Sequence, residues 1–236
     1  MLVLIPGGPQ DAGVFAGLTE HLADRYTTVT YDPRGNSRSP LDGEPEEQRV
    51  DVHSDDAARL IAEVAGGPVR VFGNSAGAQV ALDLASVHAV VAHEPPCVLM
   101  LEDPSEAMAR GREVYETFTE EGAEAAMGEF LVLNGLEDST WPGDEETRER
   151  VNGNLAYSFA HGLLPVTAYR PDADALRVPL AVGLGGESRG SAIHDIGLAL
   201  VRRLGTEPAV FPGDHLGFGS RPAAFADTPH RALDGI

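Results

Sequence analysis

The chain has 236 residues, enough for one α/β domain with an inserted subdomain and a large buried core. Its 37 acidic against 17 basic side chains give a formal net charge of −20, which argues against nucleic acid and anionic membrane as partners, since both would repel it, and suits a neutral or cationic small molecule. A single cysteine, Cys97, allows no intrachain disulfide and no paired-cysteine metal or redox motif, so a reducing compartment is expected.

The opening MLVLIPGG carries no basic stretch and soon turns into glycines, so it reads as a strand (2–5) running into a loop rather than a secretion signal. Nowhere do eighteen apolar residues run together, and a soluble, cytoplasmic protein is expected. A helix follows at 14–24 and a strand at 27–32. The next helix is predicted over 54–66, where Ala57, Leu60, Ile61 and Val64 recur at helical spacing and Ser54 is placed to cap the N-terminus. A strand at 69–73, a helix at 78–85 and a strand at 89–94 come next. From about 95 to 177 the alternation stops, and segments 105–131 and 144–164 read as helices. It resumes with a strand (180–185), a helix (190–205), a strand (208–213) and a last helix (223–233).

Short β-branched runs alternating with helices predict an α/β fold, a mostly parallel sheet flanked by helices on both faces. The core is expected at 1–95 and 178–236. Residues 96–177 form a helical insertion before the penultimate strand, positioned as a lid over the C-terminal strand edge where ligands bind in open α/β sheets.

The pattern GNSAG at 73–77 is short, but it follows a strand and opens a helix. In that setting glycines permit a tight, strained turn that projects a serine hydroxyl from the sheet. Ser75 is therefore a candidate nucleophile, with Gly73, Ala76 and Gly77 as the small neighbours such a turn needs. A serine needs a base beside it, and His215, in the loop after the last strand, would stand over the same sheet edge. His21, His53, His88, His93, His194 and His230 are read as structural, and His161 as a pocket residue. Backbone N–H groups aimed where negative charge develops would come from Ala76 and from Gly8 in the loop after the first strand.

PGGP (6–9), YDPRGNSRS (31–39), GNSAG (73–77) and FPGDHLGF (211–218), in that order, resemble the α/β-hydrolase fold family over essentially the whole chain. They look most like its lidded esterase, lactonase and C–C hydrolase branch, with Pro6 where many members carry a histidine. The resemblance implies a Ser, acid, His triad in chain order. Family members most often carry the acid after the penultimate strand. There the expected position is Ser188, with Glu187 one residue early. A second family location is the end of the preceding strand, which is Glu94. Either carboxylate could orient His215; Glu94 is the first choice and Glu187 the alternative. Asp214 adjoins His215 too closely to orient it, and Asp32 is expected to organise its loop by binding backbone or Arg34.

The expected chemistry is acyl transfer to water on an ester, lactone or amide of a neutral, hydrophobic small molecule, with Trp141, Tyr157, Phe159 and His161 contacting substrate. No metal or organic cofactor is implied, because no His or carboxylate cluster has ligand spacing. Two other classes stay open: a non-hydrolytic catalyst of secondary metabolism on the same scaffold, such as a cyclase or C–C bond-forming enzyme, and a ligand-binding protein. Oligomeric state is open too, a homodimer included.

Overall fold

A computed structural model describes residues 1–84 and 87–234; the expected helix end at Ala85 falls outside the described residues. Among the described residues six strands form one sheet: β1 (Leu2–Ile5), β2 (Thr28–Thr30), β3 (Arg70–Asn74), β4 (Ala89–His93), β5 (Leu180–Gly185) and β6 (Ala209–Phe211). Every neighbouring pair is parallel, and the spatial order is β2-β1-β3-β4-β5-β6.

The strand residues are apolar almost throughout because both sheet faces are covered. Successive side chains point to opposite faces. Leu2, Leu4 and Phe72 therefore pack with Leu18 of α1 (Ala16–Leu22) and Phe225 of α10 (Pro222–Asp234). Val3, Ile5 and Val71 join the other core, with Ala57 of α2 (Val50–Val64), Ala78 of α3 (Ala76–Asp83) and Leu200 of α8 (Ala192–Leu204). Burying each of the larger side chains stabilises the fold by about 1.5–3 kcal/mol.

Helix α2 begins at Val50, four residues before the expected start, and Ser54 is not its cap. Val50 belongs to the same apolar face as Ala57 and Ile61, so its burial extends the helix N-terminally past Ser54, which ends up buried inside it.

Between β4 and β5 the chain forms α4 (Ser105–Glu121), α5 (Ala123–Leu133), α6 (Glu145–His161) and α7 (Leu163–Thr167). The two long helices expected here are each divided at a glycine. Gly122, with φ +97°, ends α4 and starts α5, a conformation other residues adopt only with strain. Gly162 separates α6 from α7. This insertion has a small core of its own, in which Val114, Ala126, Met127, Leu155 and Phe159 are buried together. A short helix α9 (Gly217–Ser220) precedes α10. No helix among the described residues is long and apolar enough to cross a membrane.

In a parallel sheet all strands deliver their following loops to one edge. Here β1 has β2 on one side and β3 on the other, so the loops after β1 and β3 leave in opposite directions and open a crevice between them.

Candidate active site

Ser75 follows β3 and caps α3 with φ 57° and ψ −126°, a strained backbone for a residue with a side chain, worth roughly 1–3 kcal/mol. Close packing enforces the turn. A Cβ on Gly73 would lie 2.2 Å from the Gly77 carbonyl oxygen, and one on Gly77 would lie 2.3 Å from that of Ile5. The Ser75 N–H donates to the His93 carbonyl at 3.0 Å, tying the turn to the next strand.

The loop after β1 presses on this turn. A Cβ on Gly7 would stand 2.6 Å from Ser75 Cβ and 3.3 Å from the Ala76 nitrogen. Gln10 Oε1 accepts the Gly7 N–H at 3.2 Å, while Gly8 turns with φ +50°. Asn36 donates to the Gly8 and Gln10 carbonyls, both at 3.1 Å. From the insertion, Asn154 of α6 donates to the Pro9 carbonyl at 2.8 Å, and Arg150 Nε meets the buried Asp11 carboxylate at 2.6 Å. Helix α6 is thus anchored to the loop that carries Gly8.

His215 sits in the loop between β6 and α9 and is buried. Its Nδ1 lies 2.8 Å from Glu94 Oε2. Glu94, just past β4 with φ 45°, turns its fully buried carboxylate inward, where Oε1 accepts the Gly185 N–H at 2.8 Å. Burial alone would push this carboxyl up. The His215 hydrogen bond, the adjacent imidazoles and the Gly185 N–H outweigh it and hold the group down to about 2. Glu187 is placed elsewhere: half-exposed, it pairs with Arg221 at 2.7 Å. Asp214 accepts from Ser139 Oγ and the Leu216 N–H.

Asn74, immediately before Ser75, donates through Nδ2 to the His215 carbonyl at 3.1 Å and reaches His93 Nδ1 at 3.0 Å. It thereby holds the His215 loop against the strand that carries the serine. His93 is fully buried, its ring among Phe72, Phe211 and Phe225, and burial pushes its imidazole down to about 4. Among the described residues His93, Glu94 and His215 are the one His/Cys/Asp/Glu group compact enough to hold a metal ion. Both Glu94 oxygens and His93 Nδ1 are already engaged in the bonds above, which a metal would have to displace.

Ser75, Gly8, Ala76 and His215 line a cavity of about 570 Å³, within the usual range of small-molecule sites. Of the four expected substrate contacts, Trp141, Tyr157 and Phe159 line it. His161 is not part of its wall: it is the last residue of α6, its ring lies 5.1 Å from that of Tyr157, and its carbonyl accepts the Gln48 N–H. His53, read from sequence as structural, does line the cavity. The signal was available, since His53 lies three residues after Val50 and four before Ala57, on the buried face of α2. Starting that helix at Ser54 concealed it. Asp32 organises its loop through the Ala12 and Arg38 N–H groups and a two-point pair with Arg38, not Arg34. Arg34 instead pairs with Asp56 of α2.

The profile described as "Alpha/beta hydrolase family" matches residues 2–228. The uncharacterized hydrolase YraK of Bacillus subtilis (strain 168) is 32% identical over 246 residues, spanning 99% of this chain and 89% of its own. Among solved structures, a thermophilic esterase from Thermogutta terrifontis superposes with a TM-score of 0.77 at 20% identity, covering 99% of this chain and 89% of that one. The enol-lactonase from Burkholderia xenovorans LB400 gives a TM-score of 0.73 at 17% identity, covering 99% and 90%. At these identities the structural likeness is one of fold.

Proposed function

We propose that this member of the alpha/beta hydrolase family cleaves an ester, lactone or amide of an uncharged, largely apolar small molecule through Ser75, His215 and Glu94. The observation that carries this reading is the buried Glu94 to His215 hydrogen bond beside a cavity that also holds a strained serine.

In this mechanism Ser75 Oγ attacks the scissile carbonyl and passes its proton to His215 Nε2. Glu94 keeps the His215 Nδ1 proton in place and stabilises the imidazolium. The developing oxyanion is held by the N–H groups of Ala76, at the start of α3, and Gly8, the neighbouring Gly7 N–H being taken by Gln10. The tetrahedral adduct collapses, the leaving group departs with the proton from His215, and the serine is left acylated. Water, giving a proton to His215, then attacks the acyl carbon, and the second adduct collapses to the free acid as His215 returns that proton to Ser75 Oγ. Helices α4 to α7 act as the lid. Apolar wall residues such as Val114, Met127 and Phe130 support a hydrophobic substrate.

The test is the intact mass of the protein after incubation with a fluorophosphonate, wild type beside Ser75→Ala, followed by turnover of a short-chain nitrophenyl ester. Labelling and turnover lost in Ser75→Ala are expected. A folded wild type that takes no label would return the protein to the binding or non-hydrolytic classes.

A further inference from the structure

The cavity wall is not uniform. Opposite in character to the apolar surface from α4 and α5 is a polar neighbourhood made by Arg34, Gln48, His53 and Tyr157. Gln48 Nε2 donates to the Tyr157 hydroxyl and, at 2.9 Å, to the Glu46 carbonyl. Its Oε1 is buried and has no partner among the described residues, and the residue is only 6% exposed. The His53 ring makes no hydrogen bond among the described residues and presents itself to the cavity, although the acyl-transfer mechanism gives it no task. The His53 ring nitrogens thus stand ready in a largely apolar wall, where unmade hydrogen bonds are expensive.

Charge decides what they can take. Arg34 is the nearby cation, and it is held by two carboxylates, Asp56 with a 2.8 Å hydrogen bond and Glu46 at 3.2 Å. The cavity's other arginine, Arg110, is likewise paired, with Glu106 at 2.8 Å, so a carboxylate on the substrate would find no unpaired arginine among the described wall residues and would meet an excess of acid. Burial keeps His53 neutral at pH 7, pushing its imidazole down to about 4. A neutral imidazole offers one N–H donor and one bare nitrogen acceptor, the complement of a hydroxyl or an amide.

Resting on the hydrolase reading and extending it to substrate class, we propose that His53, framed by Gln48 and Tyr157, binds an uncharged hydroxyl or amide group that the substrate carries away from its scissile bond. The substrate is then an apolar acyl compound with one neutral polar end, and His53 selects it by the hydrogen bond a plain alkyl chain cannot make.

The test uses binding in Ser75→Ala, so it does not depend on turnover. Straight-chain amides ending in methyl, hydroxyl, ammonium or carboxylate are titrated while following the fluorescence of Trp141, the chain's single tryptophan, which lines the cavity. The hydroxyl probe is expected to bind about tenfold tighter than the methyl probe, and tighter than the carboxylate probe, which meets acid, and than the ammonium probe, which would shed its water into a wall whose nearby carboxylates, Asp56 and Glu46, are already paired with Arg34. His53→Leu should bring hydroxyl and methyl within about twofold, while His53→Gln, which keeps a hydrogen-bonding end, should retain part of the preference. Equal weakening of every probe by His53→Leu, tightest binding of a charged end, or no binding by any probe would each overturn the proposal. Failure of the hydrolase reading shows separately, as absent fluorophosphonate labelling of the wild type.

Discussion

Glu94 and His215, 121 positions apart in the chain, are joined at 2.8 Å, and the second oxygen of the same carboxylate is held by the Gly185 N–H. Glu187, whose carboxylate is half-exposed, is bound to Arg221. Glu94→Gln should therefore lower kcat by about a thousandfold or more, as the loss of the carboxylate that orients a catalytic histidine does elsewhere. Glu187→Gln should leave it within about twofold and cost under about 1 kcal/mol of stability. Acylation rates of the two variants, measured side by side, check this; the reverse ranking would transfer the acid role to Glu187.

Acid should destabilise the fold in two overlapping stages. His53 and His93 have folded values lowered by burial from 6.5 to about 4, so between those pH values the unfolded chain takes up protons that the folded one refuses. Stability is then full above about 6.5 and falls as pH drops toward about 4, by up to about 3 kcal/mol for each group. Glu94 is lowered from 4.5 to about 2, and its contribution, present above 4.5, is lost between there and about 2. Unfolding midpoints across this range should fall steadily, and His53→Leu should shallow the slope between pH 6.5 and 4 by one proton. An unchanged slope in that variant would mean that His53 titrates normally in the folded protein.

Two arginines on the insertion should behave differently. Arg150 faces Asp11, whose side chain is fully buried and also accepts the Gly13 N–H. Removing the arginine strands a buried charge, and Arg150→Ala should cost roughly 3–5 kcal/mol. Because α6 and the Gly8 loop are joined there, kcat should fall as well. Arg110, paired with Glu106 on an exposed helix face, should cost under about 1 kcal/mol when changed to alanine. Urea denaturation of both variants measures the difference, and equal losses would show that α6 is not anchored through Asp11.

Much of the architecture was legible in the residues because it is local. Strand β1 was read at its observed limits, 2–5, and β5 at 180–185, since an apolar run closed by glycine or proline has few other conformations. The serine turn was legible for the same reason: a glycine on each side of Ser75 permits a backbone approach that any Cβ would block. Helix limits were harder. Gly122 divides a segment whose composition is helical throughout, and Val50 extends a helix whose best local cap is Ser54, because burial against the sheet outweighs a capping hydrogen bond of about 1 kcal/mol. That displaced start removed His53 from the helix face where its neighbours Val50 and Ala57 would have marked it as inward.

By itself, the sequence determined the alternating α/β order, the helical interruption before the penultimate strand and the strand-turn-helix that presents Ser75. Each of these depends on side-chain type and spacing within a few residues. Only the tertiary structure decided which carboxylate reaches His215, that Asp32 takes Arg38 while Arg34 goes to Asp56, and that His53 rather than His161 faces the cavity. Those contacts are made between loops and helices brought together by sheet register and packing, and a separation in space of 2.8 Å leaves no trace in a separation of 121 residues along the chain.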